Sequence, residues 1–429
     1  PTGAGETAPT ESETAYHPIC ATTGELLNAV LTHCPERRSP PPCPTSSALS
    51  IPSRPTRKNL HALRNAALKE TRALAEERAK HPFDDIETAP LDYLAKAWSE
   101  LDGALQDTVY EAYDLQAIRI DGAAEHPTAL VQSAAMASVP PPVPSYRPLL
   151  PKSLVQDGLL SAPQLESVIY AGNAHETHLK GWFKRGEIEG QLMAAAEGDE
   201  GAFRLRKGWF LGDGTGCGKG RQVAGIILDN WLKGCRRAVW VSKSDKLIED
   251  ARRDWVALGG RESDIMPLSK FRQGSDIRLP EGILFVTYAT LRSATREGKA
   301  SRLDQVTSWL GEGFDGVIAF DESHAMANAA GEKSDRGDRR ASQQGLAGLA
   351  LQNAVPDARV LYVSATGATV VGNLAYASRL GLWGTGDFPF VTRAEFVAAM
   401  EAGGIAAMEI ISRDLKALGL YLARSLSYA

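Results

Sequence analysis

Ten residues, Gly212-Asp-Gly-Thr-Gly-Cys-Gly-Lys-Gly-Arg221, constrain this chain more than any others. They lie between a short apolar stretch ending at Leu211 and a stretch of helical periodicity that opens near Lys219. Closely spaced glycines let successive backbone N–H groups turn toward one anion, and a helix starting there adds the positive end of its dipole. The pattern predicts a strand, a phosphate-binding loop and a helix. Gly214, Thr215, Gly216, Cys217, Gly218, Lys219, Gly220 and Arg221 would surround the phosphates of ATP, with Lys219 against the β- and γ-phosphates.

The residues that would complete a nucleotide-hydrolysing site follow at strand ends. Phe314-Asp-Gly-Val-Ile-Ala-Phe320 leads into Asp321-Glu322-Ser323-His324, an apolar strand delivering adjacent carboxylates at its carboxyl end. In a parallel sheet that end faces the phosphate loop. Asp321 is placed to hold Mg²⁺, usually through water, and Glu322 to orient and deprotonate the water that attacks the γ-phosphate. His324 is placed to sense that chemistry. A third strand, Val360–Val363, ends in Ser364-Ala365-Thr366, whose hydroxyls would couple hydrolysis to movement of a neighbouring lobe. A glycine turn, an acidic pair or a Ser-Ala-Thr triplet alone has an ordinary structural explanation, but the three in this order do not. They resemble the first motor lobe of superfamily 2 helicases.

Apolar strands at Ala238–Val241 and Ile283–Val286 alternate with helical stretches, which specifies a parallel sheet covered by helices. The expected fold is α/β: a RecA-like P-loop NTPase lobe over residues 152–385, plus helical N-terminal and C-terminal extensions. Residues 1–57, rich in Pro, Ser and Thr, read as disordered. Residues 58–125 read as an accessory segment of two or three helices, and 126–151 as a Pro-rich connector running extended over a surface. Segment 181–201 reads as a polar insertion. Residues 386–429 read as two helices, 392–400 and 405–426, with no further strand and no second motor lobe. Two strand-end pairs, Ser242-Lys243 and Thr287-Tyr288, stand where such a motor grips a nucleic-acid backbone, expected to be DNA. Gln164, just ahead of a helix, resembles the glutamine by which many such helicases read the adenine edge, because an amide offers both donor and acceptor.

Composition supports this without deciding it. With 429 residues, 43% of them hydrophobic and 23% charged, the chain has enough apolar material for two or three domains. A net charge of −5 argues against a wholly basic nucleic-acid-coating protein and leaves room for a local basic groove. No apolar run approaches the roughly 20 residues that span a bilayer. No signal segment opens the chain, so a cytoplasmic setting, or a nuclear one in a eukaryote, is expected. Pro1 in place of methionine suggests a processed or partial chain. Cys217 and Cys235 read as reduced thiols, while Cys20, Cys34 and Cys43, with His17 and His33, match no standard zinc spacing.

The segments Gly212–Arg221, Asp321–His324, Ser364–Thr366 and Arg379-Leu-Gly-Leu-Trp-Gly384 together resemble the strawberry notch family. Leu130–Val139 and Ala423–Tyr428 extend the likeness at both ends. In that family an amino-terminal NTP-hydrolase lobe precedes a second helicase-like lobe; bacterial, plasmid and phage members are often labelled methylase/helicase proteins, and animal members are similar to transcriptional co-regulators. The resemblance implies ATP and Mg²⁺ as cofactors, nucleic acid as partner and no membrane. Two positions depart from the general helicase pattern. Gly220 stands where most phosphate loops carry Ser or Thr, leaving the ion to Asp321, phosphate oxygens and water. Asp213 replaces the usual first small residue, and strawberry notch relatives look like this at both positions. The arginines that a second lobe supplies are worth about 10³ to 10⁵ in rate. Without them the chain is expected to bind ATP, turn it over slowly and not unwind duplexes by itself. The competing reading is an ATP-responsive interaction or co-regulator module without catalysis. A DNA methyltransferase would need an Asp/Asn-Pro-Pro-Tyr/Phe motif, and a small-molecule kinase would have no use for the Asp-Glu-x-His box.

Overall fold

Seven strands form one sheet: β1 (Trp209–Leu211), β2 (Arg237–Ser242), β3 (Ile265–Pro267), β4 (Gly282–Thr287), β5 (Val317–Asp321), β6 (Arg359–Val363) and β7 (Tyr421–Leu422). Their order across the sheet is β3-β4-β2-β5-β6-β1-β7, and every neighbouring pair is parallel. These features come from a computed structural model that describes residues 69, 80–97, 109–186, 192–293, 300–327, 342–365 and 374–427. The central strands are apolar at consecutive positions, as in Ile283–Val286 and Val317–Phe320, and all of these side chains are buried. Such runs mark parallel strands covered on both faces, where alternation has no use. This is the α/β arrangement expected from the strand-end motifs.

Among the described residues, six longer helices connect and flank the strands: α1 (Ala162–His175), α2 (Lys219–Leu232), α3 (Ile248–Ala257), α4 (Arg302–Leu310), α5 (Gln343–Ala354) and α6 (Arg393–Ala417). α1, α2 and α3 pack side by side, while α4, α5 and the short helix Tyr288–Leu291 form another group. The rings of Trp231 on α2 and Trp255 on α3 lie 5.5 Å apart and are both buried, fixing these two helices against each other. Pro140–Pro148 runs extended over α1, where Tyr170 donates to Pro142 O at 2.8 Å. Segment 181–201 holds a hairpin of Trp182–Arg185 against Leu192–Ala195.

Both extensions hold strands at described positions where only helices were expected. α6 is broken at Gly404 (φ 58°, ψ −139°), near the predicted division into two helices, but the second part ends at Leu418. Gly419 then turns the chain with φ 72°, and Tyr421–Leu422 joins the sheet as β7. The helical periodicity continued past this point because Tyr, Leu and Ala fit either structure; the glycine in the left-handed region is what stops the helix. In the accessory segment, the described residues 80–97 and 109–125 contain strands Thr88–Pro90, Leu94–Ala95, Tyr110–Ala112 and Ile118–Arg119; residues 58–68, 70–79 and 98–108, where much of the expected helix falls, lie outside the described residues. Pro82 and Pro90 interrupt any helix there, and backbone partners come from far along the chain: Thr88 pairs with Pro151, and Ala112 with Val131. The 1–57 tail, with its Cys and His residues, lies outside the described residues. No described helix is long and apolar enough to cross a membrane.

Lys416 ties α6 to the strand Leu130–Ser133 and the residues around it. Its buried ammonium donates to Gln116 Oε1 (2.6 Å), Gln132 Oε1 (3.0 Å) and Met136 O (2.6 Å). Burial pulls its pKa down to about 8, against an opposing pull from Glu166. An unfolded lysine titrates near 10.4, so between these values the unfolded chain binds more protons and stability rises with pH. Denaturant titrations at pH 7.5, 9 and 10.5 should show the wild type gaining up to about 3 kcal/mol relative to Lys416→Met across this window. A constant difference between the two proteins would refute the shift.

Candidate nucleotide site

Parallel register brings the predicted motifs to one end of the sheet. Leu211, Val363 and Asp321 lie in line across β1, β6 and β5, through the pairs Val363↔Leu211 and Asp321↔Val363. The residues that follow them, Gly212, Ser364 and Glu322, therefore leave the sheet side by side. Ser364 N donates to Leu211 O at 3.0 Å, holding the end of β6 against the start of the phosphate loop.

In the loop, Gly216 (φ 92°) and Gly218 (φ 76°) occupy the left-handed region, so side chains are disfavoured where the backbone folds back on itself. Gly218 caps α2, and a Cβ there would collide with the Gln164 amide. Thr215 and Gly216 are exposed at the tip, and among the described residues no main-chain carbonyl accepts from the N–H groups of Gly216, Gly218, Lys219 and Gly220. A row of open amides at a helix start is the chemistry that accepts a phosphate. Lys219 Nζ reaches across the loop to Gly214 O at 3.1 Å. Arg221 turns away, donating to Leu159 O (3.2 Å) and Asp254 Oδ1 (3.3 Å). Gln164 lies against the loop: its Oε1 accepts from Ser161 N at 3.0 Å and its Nε2 donates to Cys217 O at 3.4 Å. In this conformation both ends of the amide link the start of α1 to the loop.

At the acidic strand end, Asp321 Oδ2 accepts from Ser242 Oγ at 3.0 Å, and Oδ1 from Glu322 N at 3.0 Å. Burial raises its pKa, Ser242 opposes this, Glu322 adds to it, and the charge of Lys219 lowers it again. Among the described residues no group of three or more His, Cys, Asp or Glu side chains could hold a metal by itself. An ion would have to share Asp321 with phosphate oxygens, and a hydrogen-bonded, mostly buried carboxylate suits that task. Glu322 adopts the left-handed conformation (φ 49°, ψ 46°), alone among described non-glycine residues. That costs about 1–2 kcal/mol and turns its half-exposed carboxylate out of the strand direction. His324 Nδ1 lies 3.2 Å from Glu322 Oε2 and 3.2 Å from Ser364 Oγ, so this imidazole joins the acidic box to the end of β6. Ala365 follows half-buried, and Thr366 lies outside the described residues.

The four residues expected on a nucleic-acid backbone separate. Ser242, Thr287 and Tyr288 are buried: Ser242 supports Asp321, Thr287 caps the helix Tyr288–Leu291, and Tyr288 Oη donates to Asp321 O at 2.9 Å. Lys243 is exposed. Ser242 thus braces the Asp321 carboxylate from the end of β2, while Tyr288, just beyond β4, holds the Asp321 main-chain carbonyl. A polar residue ending a fully buried strand gives no sequence sign of which way it faces, so this bracing was not legible beforehand.

A second group was missed altogether. Beyond β7 the chain continues antiparallel to Leu130–Val131 through Ser425 and Leu426. On the way, Leu422 O and Arg424 O accept from Gly212 N (2.7 Å) and Gly214 N (2.6 Å), lacing the segment to the phosphate loop. The fully buried Arg424 guanidinium bonds both oxygens of Asp213 at 2.9 Å, together with Ser167 Oγ (2.6 Å), Gln222 Oε1 (2.9 Å) and Pro163 O. Glu166 Oε2 is 3.4 Å away and also accepts from Tyr113 Oη. Burial disfavours the Arg424 charge, but Asp213, Tyr113 and Glu166 together more than offset this and hold the guanidinium above its ordinary pKa. Asp213 is therefore an anchor for the loop. An acidic residue at a buried loop position demands a cation, and that demand was the available signal.

The model of a family described as P-loop containing NTP hydrolase pore-1 matches residues 125–429. Strawberry notch homolog 1 of Gallus gallus is 40% identical over 311 residues, covering 71% of this chain and 23% of that protein. The chain belongs to the strawberry notch family of helicase-like P-loop NTP hydrolases. Other strawberry notch relatives include homolog 2 of Mus musculus, 42% identical over 307 residues (71% of this chain, 20% of the relative). FORGETTER 1 of Arabidopsis thaliana is 36% identical over 307 residues (71% and 22%). The chain spans between 15% and 23% of the length of these and the other curated relatives it matches. Among solved structures, the Sulfolobus solfataricus SWI2/SNF2 ATPase core in complex with dsDNA overlaps 51% of this chain and 40% of its own, with 15% identity and a TM-score of 0.35. So partial an overlap adds nothing to the sheet order described above.

Proposed function

We propose that this chain is the ATP-binding and ATP-hydrolysing first lobe of a strawberry notch-type motor that acts on nucleic acid, with DNA as the favoured partner. The observation that carries this reading is the register of β1, β6 and β5, which aligns the phosphate loop, Ser364 and the acidic box at adjacent strand ends. In this reading the amides of Gly216 to Gly220 and the Lys219 ammonium bind the phosphates. Asp321, braced by Ser242 and Tyr288, holds Mg²⁺, which when bound neutralises charge on the phosphate oxygens. Glu322 orients the attacking water and takes its proton. His324 passes the state of that site to Ser364 through their contact. Lys243, exposed at the end of β2, serves as a backbone-phosphate contact.

Gly220 favours a second reading, in which ATP is bound as a signal and barely hydrolysed, because the usual hydroxyl is missing there. Steady-state phosphate release, with and without duplex DNA, separates the two. The motor reading expects slow turnover that depends on Glu322 and rises with DNA, without strand separation by this chain alone. Turnover indistinguishable from that of Glu322→Gln at every DNA concentration would hand the case to the signalling module. Failure to bind ATP would overturn both.

A further inference from the structure

Gly220 is a departure from the usual phosphate loop, and the space its missing side chain leaves is filled. A Cβ built on Gly220 would fall well inside van der Waals distance of Asp254 Oδ2, with Asp254 Cγ at 3.2 Å and Cβ at 3.9 Å. The order of those distances means that the carboxyl group points end-on at Gly220, with Oδ2 foremost. Asp254 comes from α3, which Trp255, one residue on, locks against Trp231 of α2. Its carboxylate is three-quarters or more withdrawn from solvent, with 16% of the side chain exposed. Only one oxygen is committed: Oδ1 accepts from Arg221 Nε at 3.3 Å, and among the described residues no donor reaches Oδ2. Burial raises the Asp254 pKa, and the nearby Arg221 and Arg253 offset this only in part.

We infer that Asp254 supplies the magnesium-side ligand that other phosphate loops draw from a Ser or Thr at the position of Gly220. The inference rests on the nucleotide reading proposed above and assigns it a residue. In the usual arrangement a short side chain after the loop lysine carries one neutral oxygen toward the ion. Here an anionic oxygen from the neighbouring helix lies where the Cβ of such a side chain would be, and a Cβ at position 220 would push that carboxylate end aside. The two positions are thus coupled: Gly220 without Asp254 leaves the ion short of a ligand, and a side chain at 220 with Asp254 in place produces a collision. Hard divalent cations prefer carboxylate oxygen, and Mg²⁺ is commonly bound through one or two carboxylates plus phosphate oxygens. Asp321 and Asp254 would be those two. A purely structural Asp254, serving Arg221 alone, would leave the metal dependence of nucleotide binding untouched.

The test is the affinity of the full chain for fluorescent ADP, measured across free Mg²⁺ concentrations and again in EDTA. The ratio of the two affinities reports the contribution of the ion, and the EDTA value shows that the loop is folded. The wild type should bind more tightly with Mg²⁺. Asp254→Asn should need on the order of tenfold more Mg²⁺ for half of that enhancement, the scale expected when a metal site loses a supporting group, with the EDTA affinity unchanged. Gly220→Thr alone should lose the enhancement, and Gly220→Thr combined with Asp254→Ala should regain it, since the hydroxyl is restored and the collision removed. An Asp254→Asn variant with the wild-type Mg²⁺ dependence overturns the inference while leaving the nucleotide reading intact. If Asp254→Asn binds nothing in EDTA, the double variant decides: recovery of the enhancement supports the inference, and its absence overturns it. A wild-type chain that binds no ADP under either condition overturns the nucleotide reading and this inference together.

Discussion

Arg424→Ala is expected to destabilise the chain by about 3–5 kcal/mol, because it strands the carboxylates of Asp213 and Glu166 in a site closed to water. That is a large part of the 5–15 kcal/mol typical of a folded domain. The effect should reach the nucleotide. The carbonyls of Leu422 and Arg424 hold the amides of Gly212 and Gly214, and Asp213 loses its partner in the same step. Nucleotide affinity should therefore fall together with the denaturation midpoint. Most of the cost belongs to the stranded acids, so Arg424→Met combined with Asp213→Ala should be less destabilised than the two single changes added, by about 0.5–3 kcal/mol. Chemical denaturation of the four proteins checks this. Additive losses would mean that the guanidinium contributes through its packing and not through the Asp213 pair.

At the acidic strand end a different dissociation is expected. Glu322→Gln should keep ATP affinity near the wild-type value and lower phosphate release by about 10²- to 10⁴-fold, the range for loss of a general base. Lys219→Ala should instead weaken ATP binding by about 10- to 100-fold, corresponding to one charge-assisted hydrogen bond of roughly 1.5–3 kcal/mol. Because Glu322 sits in the left-handed region, Glu322→Gly offers a control. It relieves the backbone strain and should raise stability slightly while still abolishing turnover. Equal losses of binding and turnover in both Lys219→Ala and Glu322→Gln would mean that the two residues do not divide the work in this way.

The phosphate loop, the Asp321 box and the parallel sheet were legible because each depends on local order: a glycine pattern, a carboxylate pair at the end of an apolar run, and strands alternating with helices. What could not be read depends on pairing across long stretches of chain. The strand Tyr421–Leu422 is two residues long and exists only because Trp209–Leu211 lies beside it. The accessory strands likewise owe their form to distant partners, such as Thr88 against Pro151 and Ala112 against Val131. Ser242, Thr287 and Tyr288 look like loop residues ready for a ligand, yet the neighbouring strands draw them inward to support Asp321 and the short helix beside it. Asp213 and Gly220 could be seen as unusual, but their partners Arg424 and Asp254, 211 and 34 positions further along the chain, could not be assigned from spacing alone.

A crystal structure of the chain with Mg²⁺ and a nonhydrolysable ATP analogue asks the most direct question. The triphosphate should lie on the amides of Gly216 to Gly220, with Lys219 Nζ moved from Gly214 O to the terminal phosphates and Glu322 facing the γ-phosphate. A nucleotide bound elsewhere, or a terminal phosphate on the far side of the loop from Asp321 and Glu322, would show that the aligned strand ends do not form a hydrolytic site.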